Sequence, residues 1–328
     1  MLDTLRAVLD PPRYHGHGRR PPFFEGWYFK LVDASGARRY AVIPGIFLAH
    51  EVAASHAFVQ VLDGRTGHAT YHSYPLHSFW AARDRFAIRV GPNAFSAGSL
   101  SLDIDSPDRA VRGAVRLQGT HAWPVRLWSP GAMGWYAWVP SMETYHGVVS
   151  MDHRLEGVLE VDEMPVVFDG GRGYVEKDWG RRLPEAWIWF QSNHFPEPGI
   201  SLTASLAIVP WRGRPFAGFV TGLLHNGRLY RLATYTGARI AALQVDDRQI
   251  HWQVADGRCR LEMTADRAEG GVLRAPQVVD MDRRVPETLN ATVSVRLQDR
   301  QGVVYEGTGR YAGLEAVGDL ARLVAMAT

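Results

Sequence analysis

Three segments of the chain concentrate aromatic and ionisable side chains, the composition of a site that moves protons on an apolar ligand. They are residues 22–30, residues 139–153 and residues 173–194. Proton transfer to an apolar substrate needs a positioned acid, aromatic faces that stabilise positive charge, and exclusion of water. Core packing is the commoner reason for aromatic density, so the ionisable residues carry the argument.

The third segment places Glu176, Lys177 and Asp178 in a row. On a β-strand, Glu176 and Asp178 would share one face, while Lys177 and Trp179 would share the other. Two neighbouring carboxylates in an apolar cleft can share a proton, so that one stays neutral and serves as a general acid. The structural alternative is a network of ion pairs that includes Arg181. The residues alone leave open whether the carboxylates share a proton or form these ion pairs.

The first segment alternates in the same way. Glu25 and Trp27 would share one face, and Tyr28 and Lys30 the other. Trp27 also fits a buried tryptophan of a small β-barrel, and Glu25 fits a buried ion pair as well as a functional role. Only two of the 36 basic residues are lysines, Lys30 and Lys177, and both lie inside these segments. A compact ammonium at these two places is therefore a candidate functional group.

The second segment and the end of the third add further candidates. Glu143 and Tyr145 would alternate against His146 along one strand. A later strand would present two indoles and two amides on one face, which suits a long apolar ligand with one polar end. We expect the segments around Glu25, Glu143, Glu176 and Trp189 to converge on one cavity. The residues of the later strand are Trp187, Trp189, Gln191, Asn193 and, just after them, His194.

Strand signals dominate the elements that must position these residues. Short runs of β-branched and aromatic residues recur at roughly 10–15-residue spacing, and Asn226-Gly227 is typical of the turns between them. The pattern predicts an all-β chain of about sixteen strands. Helix signals are confined to residues 4–9, a stretch near residues 239–243, and residues 318–327.

A weak internal repeat predicts two domains. Residues 24–30 and 186–191 both place an aromatic strand before a longer apolar one. One barrel of about sixteen strands would leave a pore, so two smaller antiparallel barrels are more economical. We therefore predict two tandem lipocalin-like antiparallel β-barrels with few short helices, over residues 1–180 and 181–328.

Composition excludes several classes of protein. The 328 residues carry a formal net charge of +2 and one cysteine, Cys259, which argues against nucleic-acid binding and against a disulfide framework. Nucleotide-binding and zinc-protease motifs are absent from the sequence, so we expect no cofactor and no metal. No signal peptide or apolar run of membrane-spanning length is recognised. We expect a cytoplasmic protein, with contact at a membrane surface as an open option, and no protein partner.

Four long motifs resemble the tocopherol cyclase family. They are PFFEGWYFK, VPSMETYHGVVSMDH, GYVEKDWGRRLPEAWIWFQSNHF and GTGRYAGLEAVG, in order from about residue 20 to residue 318. The resemblance implies tandem lipocalin-like barrels and cofactor-free cyclisation of a prenylated quinol to a chromanol. Thr144 stands where much of the family has Cys, and Asp178 where plant members have Asn. The second departure favours Glu176 over Asp178 as the proton donor.

That reaction protonates an alkene, and a phenol oxygen then captures the tertiary cation. As a hypothesis, Asp178 or Glu176 donates the proton, and Glu143, His146 or Lys177 orients or deprotonates the phenol. Glu25 would hold Lys177 or His146. The residues assigned to the cation or to substrate binding are Trp27, Tyr28, Tyr145, Trp179, Trp187, Trp189, Gln191, Asn193 and His194. An alkene hydratase acting on an isoprenoid lipid and a non-catalytic lipophile carrier are the alternatives.

Overall fold

The computed structural model describes residues 2–211 and 213–327. Antiparallel strands form nearly all of the regular structure in these residues, which confirms the predicted all-β class. The α-helices described are α1 (Leu2–Val8) and α2 (Leu320–Ala327). Within the described ranges, neither helix has the length or hydropathy needed to cross a membrane. Short 3-10 turns lie at Val52–Ala54, Leu76–Ser78, Gly134–Trp138 and Thr234–Thr236.

The chain forms two compact units. The first runs up to Leu183 and includes Val272–Arg284, and the second comprises Pro184–Gly271 and the chain from Val285 onward. The predicted halves 1–180 and 181–328 place Val272–Arg284 in the second half, whereas the structure groups this segment with the first unit. Those halves stay a prediction.

The strands of the first unit follow a simple order along the chain. They are β1 (Phe23–Val32), β2 (Arg39–Leu48), β3 (His56–Asp63), β4 (Ala69–Pro75), β5 (Phe79–Ala81), β6 (Ala87–Val90), β7 (Asn93–Ser96), β8 (Ser99–Ser106), β9 (Arg109–Gln118), β10 (Val125–Arg126), β11 (Ser129–Pro130), β12 (Thr144–Val161), β13 (Met164–Val167) and β14 (Arg172–Gly180).

The remaining strands lie after residue 186. They are β15 (Trp187–Ser192), β16 (Ser201–Val209), β17 (Phe216–His225), β18 (Arg228–Ala233), β19 (Arg239–Val245), β20 (Gln249–Ala255), β21 (Cys259–Asp266), β22 (Gly271–Ala275), β23 (Arg283–Asp299) and β24 (Gly302–Val317).

Both units use the same strand topology. The first sheet has the order β4-β3-β2-β1-β14-β12-β9-β8-β7-β6-β5, and the second has the order β18-β17-β16-β15-β24-β23-β21-β20-β19. In each, the first strand pairs with both the next strand and the last one, as in an up-and-down meander that returns to its start. The repeat noticed in the sequence corresponds to β1 and β15, which occupy equivalent positions. Closure of each sheet into a barrel stays a prediction.

The core of the first unit lies on the face of β1 that carries Trp27 and Phe29. Trp27 stacks on Phe86, with ring centroids 5.3 Å apart, and Phe29 lies 5.7 Å from Phe95. Phe86 immediately precedes β6, which is far from β1 in the strand order, so the sheet curls around this face. The stretch from Asp10 to His15 covers the same face, and the Trp27 indole N–H donates to the backbone oxygen of Pro12 at 2.9 Å.

The core of the second unit lies on the face of β15 that carries the even-numbered residues. Ile188 and Phe190 are fully buried in it, and the Phe190 ring meets Trp252 edge-on at 6.0 Å. Because side chains alternate along a strand, Trp187 and Trp189 lie on the other face of β15, where both are also buried. The predicted shared face for these two indoles is therefore confirmed.

Two details of the predicted secondary structure were wrong. Residues 239–243 were predicted to be helical but lie in β19 and pair with β20. The neighbouring strand forms hydrogen bonds with their backbone groups, and this pairing overrides the local helical preference. The strand count was too low because several strands, such as β5 and β7, have only three and four residues. Runs that short do not establish a period of two in the sequence.

Candidate active site

Three adjacent strands, β1, β14 and β12, bring the candidate residues of the first unit together. In the register, Lys177 lies opposite Trp27 of β1 and Gly147 of β12. One residue further along β14, Asp178 lies opposite His146. Consecutive residues of β14 thus point to opposite faces, as predicted, and they build two separate ionic clusters.

The lysine cluster consists of Lys177, Glu25, His15, Trp27 and Trp179. The Lys177 ammonium pairs with a Glu25 carboxylate oxygen, and both side chains are fully buried. Lys177 also donates to the backbone oxygen of Arg13 at 2.5 Å and lies 3.0 Å from His15 Nδ1. The two Glu25 oxygens accept the backbone N–H of His15 at 3.0 and 2.8 Å. The pair is therefore desolvated and saturated with hydrogen bonds.

Aromatic rings enclose the ammonium of the lysine cluster from two sides. The Lys177 nitrogen lies 4.6 Å from the ring centroids of both Trp27 and Trp179, a cation–π distance. Trp179 is itself stacked between His15 at 4.3 Å and Tyr145 at 5.4 Å. Trp27, Trp179 and Tyr145 are thus packed against this ion pair, and their assignment to substrate binding stays a prediction.

Burial and charge act against each other on the buried pair. Burial raises the pKa of Glu25, but the Lys177 charge and the His15 hydrogen bond outweigh it and hold that pKa below its ordinary value. Burial lowers the pKa of Lys177 to about 8, while Glu25 opposes the fall. Burial and the Lys177 charge also lower the pKa of His15. At neutral pH the cluster therefore holds an ionised pair beside a neutral imidazole.

The histidine cluster, on the other face, consists of His146, Asp178, Glu176 and Tyr174. His146 Nδ1 lies 3.0 Å from an Asp178 carboxylate oxygen, and its Nε2 lies 3.7 Å from Glu176. The Tyr174 hydroxyl donates to Glu176 at 2.5 Å. The side chains of His146 and Glu176 are 13% and 7% exposed, whereas that of Asp178 is 35% exposed. Asp178 is the carboxylate that solvent or a ligand reaches.

The two carboxylates keep His146 protonated. Burial lowers the pKa of His146, but Asp178 and then Glu176 raise it further than burial lowers it, to about 9. At pH 7 the ring is therefore an imidazolium held between two carboxyl groups. This arrangement stores a proton next to a partly exposed carboxylate.

Other candidates are distributed between the two faces. By register, Tyr28 and Lys30 lie on the same face as the histidine cluster, opposite Glu176 and Tyr174. Both are buried. Glu25 faces the other side, so the expectation that it lines one cavity with Glu176 does not follow from the strand geometry.

Glu143 lies outside both clusters. It forms a two-pronged ion pair with Arg182, at 3.0 Å to Nε and 2.7 Å to an Nη nitrogen. Its side chain is 30% exposed and that of Arg182 is 50% exposed. The pair joins the start of β12 to the end of β14, and a catalytic role for Glu143 stays a prediction.

The candidates of the second unit form a buried polar and aromatic face. The Trp187 indole N–H donates to Glu315 at 2.5 Å. Gln191 and Asn193 are fully buried on the same side, and His194 Nδ1 lies 3.0 Å from the Asn193 amide oxygen. Their assignment to substrate binding stays a prediction.

A metal ion is the alternative occupant of the histidine cluster. His146, Glu176 and Asp178 each offer one ligand atom, and these atoms lie within 4.8 Å of one another. Imidazole and carboxylate groups at such spacing can hold a divalent cation. A proton and a metal would compete for the same imidazole nitrogen, and the expectation of no metal stays a prediction.

Sequence reasoning missed two members of these clusters, His15 and Tyr174. His15 reaches the lysine cluster from a segment without strand periodicity, so the sequence carries no signal for it. Tyr174 lies two residues before Glu176 on the same strand, and the period of two would have found it.

Known proteins match this chain over most of its length. Residues 91–318 match the family model described as tocopherol cyclase-like. The chain belongs to the tocopherol cyclase-like family. The chloroplastic tocopherol cyclase of Zea mays is 23% identical over 374 aligned residues, which cover 94% of this chain and 76% of the maize protein. The tocopherol cyclase resemblance read from the motifs is therefore confirmed.

Solved structures share the fold. The crystal structure of a protein named CghA superposes with a TM-score of 0.55 at 11% identity, covering 91% of this chain and 89% of CghA. A second CghA structure, with Sch210972, gives 0.54 at 12% identity and the same coverage. At this identity the similarity shows the fold alone, and it agrees with the antiparallel all-β architecture.

Proposed function

We propose that this member of the tocopherol cyclase-like family is an enzyme that closes a chromanol ring on a prenylated benzoquinol, without a cofactor. The observation that carries the proposal is the histidine cluster, in which a protonated His146 lies against the partly exposed Asp178. Family membership over residues 91–318 supports the reaction class. The substrate would be small and lipophilic.

The proposed reaction is an isomerisation. A proton adds to one carbon of the prenyl double bond nearest the ring, and the other carbon becomes a tertiary cation. The neighbouring phenol oxygen forms the new C–O bond and loses its proton. The substrate gains one proton at the alkene and loses one from the phenol. The enzyme therefore returns to its starting state, and the product has the mass of the substrate.

Asp178 is our choice for the immediate donor. An imidazolium with a pKa near 9 is too weak an acid to protonate an alkene efficiently by itself. A neutral carboxyl group is a stronger acid, and Asp178 lies 3.0 Å from His146 Nδ1, so in the proposed step the proton first moves uphill from the imidazolium to Asp178 and then to the alkene. The neutral imidazole left behind accepts the phenol proton through the same carboxylate.

Glu176 has a different role in this scheme. It is buried, it accepts the Tyr174 hydroxyl, and it faces the other imidazole nitrogen. Its charge stabilises the imidazolium and orients the ring toward Asp178. The Asn of plant members at position 178 favours the reverse assignment, with Glu176 as donor. The two assignments differ in which carboxamide variant, at position 176 or at position 178, should lose activity.

The lysine cluster supports this site without touching it. Lys177 and Glu25 are fully buried on the opposite face of β14, so we assign them to holding the strand that presents Glu176 and Asp178. Trp179 lies on that face too. Of the aromatic candidates in the first unit, Tyr28 shares the face of the histidine cluster and is the better choice for substrate contact.

The decisive experiment is incubation of the pure protein with geranylgeranyl-benzoquinol, followed by chromatography and mass spectrometry. We expect a product of unchanged mass and altered retention time. A product heavier by one water would identify an alkene hydratase, and unchanged input bound to the protein would identify a carrier. Either result contradicts the cyclase proposal. A parallel reaction with a chelator tests the absence of a metal, because a cofactor-free enzyme keeps its rate.

A further inference from the structure

A hairpin of the first unit exposes an unusual amount of apolar surface. It is formed by β10, β11 and the tip between them, and a 3-10 turn follows it. We call this whole segment, residues 125–138, the aromatic hairpin. Leu127 and Trp128 at the tip are 62% and 69% exposed, and Val125 and Trp135 are 41% and 44% exposed. Single exposed apolar residues are ordinary, but four within eleven residues form a patch that calls for a partner.

The aromatic hairpin is held in place rather than loosely attached. The Trp138 indole N–H donates to the backbone oxygen of Leu127 at 2.8 Å. The Tyr145 hydroxyl donates to the backbone oxygen of Val139 at 2.6 Å. Gly131 adopts a left-handed conformation with φ of 66°, and a Cβ there would lie 2.9 Å from the Pro11 ring. The exposed side chains are thus presented by a fixed backbone.

The stretch of sequence that contains the aromatic hairpin carries charge of one sign. No Asp or Glu occurs between Asp108 and Glu143 in the sequence. Arg126 lies beside the tip, with its guanidinium 6.0 Å from the Trp128 ring. Arg116, earlier in the same stretch, already pairs with Glu156. Arg126 is therefore the cation that the patch offers to an acidic partner.

We propose that the aromatic hairpin docks on the surface of a lipid bilayer with anionic headgroups. Trp128 and Leu127 would enter the boundary between headgroups and acyl chains, where tryptophan is favoured, and Arg126 would meet lipid phosphates. A second protein chain fits less well. Four side chains fall well short of the roughly 800 Å² per partner that a stable protein interface buries.

This surface adds a property that the proposed reaction does not require. Binding to lipid needs neither the histidine cluster nor a quinol. It would bring a chain that acts on a membrane-dissolved substrate to the phase that holds it. The connection from the hairpin into β12 through Val139 and Tyr145 places the docking surface next in sequence to the strand that carries His146.

The test is flotation of the full chain with vesicles of phosphatidylcholine, with and without phosphatidylglycerol, and with no quinol present. We expect binding that is stronger on the anionic vesicles. Leu127→Ser combined with Trp128→Ala should weaken binding about tenfold or more on both kinds. Arg126→Gln should weaken it about fivefold, on the anionic vesicles only.

Trp80→Ala is the matched control. Trp80 is also exposed, at 51%, and also has an arginine over its ring, Arg89 at 5.7 Å, but it lies in β5. Its loss should leave vesicle binding unchanged. Absence of wild-type binding, equal binding by the double variant, or a dimer in sedimentation velocity that the double variant abolishes would overturn the proposal. None of these outcomes depends on whether the chain cyclises quinols.

Discussion

The lysine cluster and the histidine cluster use consecutive residues of the same strand and have opposite chemical properties. Lys177 and its partner Glu25 are fully buried, while Asp178, one residue later, is 35% exposed. In the lysine cluster every charged group is neutralised and hydrogen-bonded. In the histidine cluster one proton is held by a ring between two carboxylates, one of which, Asp178, is partly exposed.

The difference lies in what covers each face. The segment Asp10–His15 supplies backbone groups to Glu25 and Lys177, so the cation has no free position for a ligand. A pair that is closed in this way stabilises a fold but cannot exchange protons with a substrate. The comparison teaches that composition alone, which is similar for the two clusters, does not distinguish a structural ion pair from a reactive one.

The largest effect is expected for Asp178→Asn. The amide keeps the shape and the contact with His146 but cannot donate a carboxylic proton, so turnover should fall about 10²–10⁴-fold. Binding should change little, because the apolar tail supplies most of the affinity. The measurement is single-turnover conversion of the benzoquinol.

Glu143→Gln is the matched carboxamide control, since Glu143 lies outside both clusters and should keep near-normal turnover. Near-normal turnover of Asp178→Asn, together with a loss in Glu176→Gln, would transfer the donor role to Glu176. Retained activity in both variants would remove the histidine cluster from the reaction.

A smaller but still large effect is expected for Lys177→Met, and it should appear in stability. Removing the cation leaves Glu25 charged, buried and without its counter-ion, which costs about 3–5 kcal/mol of unfolding free energy. Urea denaturation measures this loss. The double variant Lys177→Met with Glu25→Leu should recover much of it. If the folded single variant lost turnover instead of stability, Lys177 would be catalytic as the sequence suggested.

The third effect is a loss of stability with rising pH, which the histidine cluster should produce near neutral pH. The pKa of His146 is raised to about 9 in the folded chain, so its contribution is complete below its ordinary pKa of 6.5 and is lost as pH rises through 9. Between pH 6.5 and 8 the loss should be about 1–2 kcal/mol, after allowance for the exposure of Asp178.

Unfolding free energies at pH 6, 7 and 8 check this expectation. Above pH 8 Lys177 acts with the opposite sign, because its lowered pKa lets the unfolded chain hold more protons. His146→Gln should flatten the curve between pH 6.5 and 8, whereas His15→Gln should not. A wild-type curve that is already flat in this window would show that His146 is neutral.

The smallest effect is expected for Tyr145→Phe. Tyr145 precedes His146 but belongs to the other face, where it stacks on Trp179 and donates to Val139. Losing that hydrogen bond should cost about 0.5–1.5 kcal/mol and leave turnover and the pH profile unchanged. A change in the apparent pKa of turnover would show that the two faces are coupled through the strand.

Periodicity predicted which side chains share a face. The expected pairing of Glu176 with Asp178, and of Lys177 with Trp179, follows from a period of two and is confirmed by the register with β1 and β12. The all-β class was predictable for a related reason, because β-branched and aromatic runs bounded by turns, such as the one that forms β2, are a strong strand signal.

Periodicity does not predict what covers a face. The closure of the lysine cluster by residues 10–15 depends on contacts between segments distant in sequence, and the charge on His146 depends on two carboxylates from a neighbouring strand. The helix expected near residues 239–243 was wrong for the same reason, since pairing with β20 overrides local preference.

The side-by-side placement of residues 176–178 has a consequence for how the gene can change. Inserting or deleting a single codon between Tyr174 and Glu176 would, if the ladder were kept, exchange the two faces of the rest of β14. The ammonium would then lie on the face that now carries the histidine cluster, and two carboxylates would enter the apolar core beside Glu25. Relatives that differ in length should therefore carry their insertions in the turns around this strand and keep its own residue count constant.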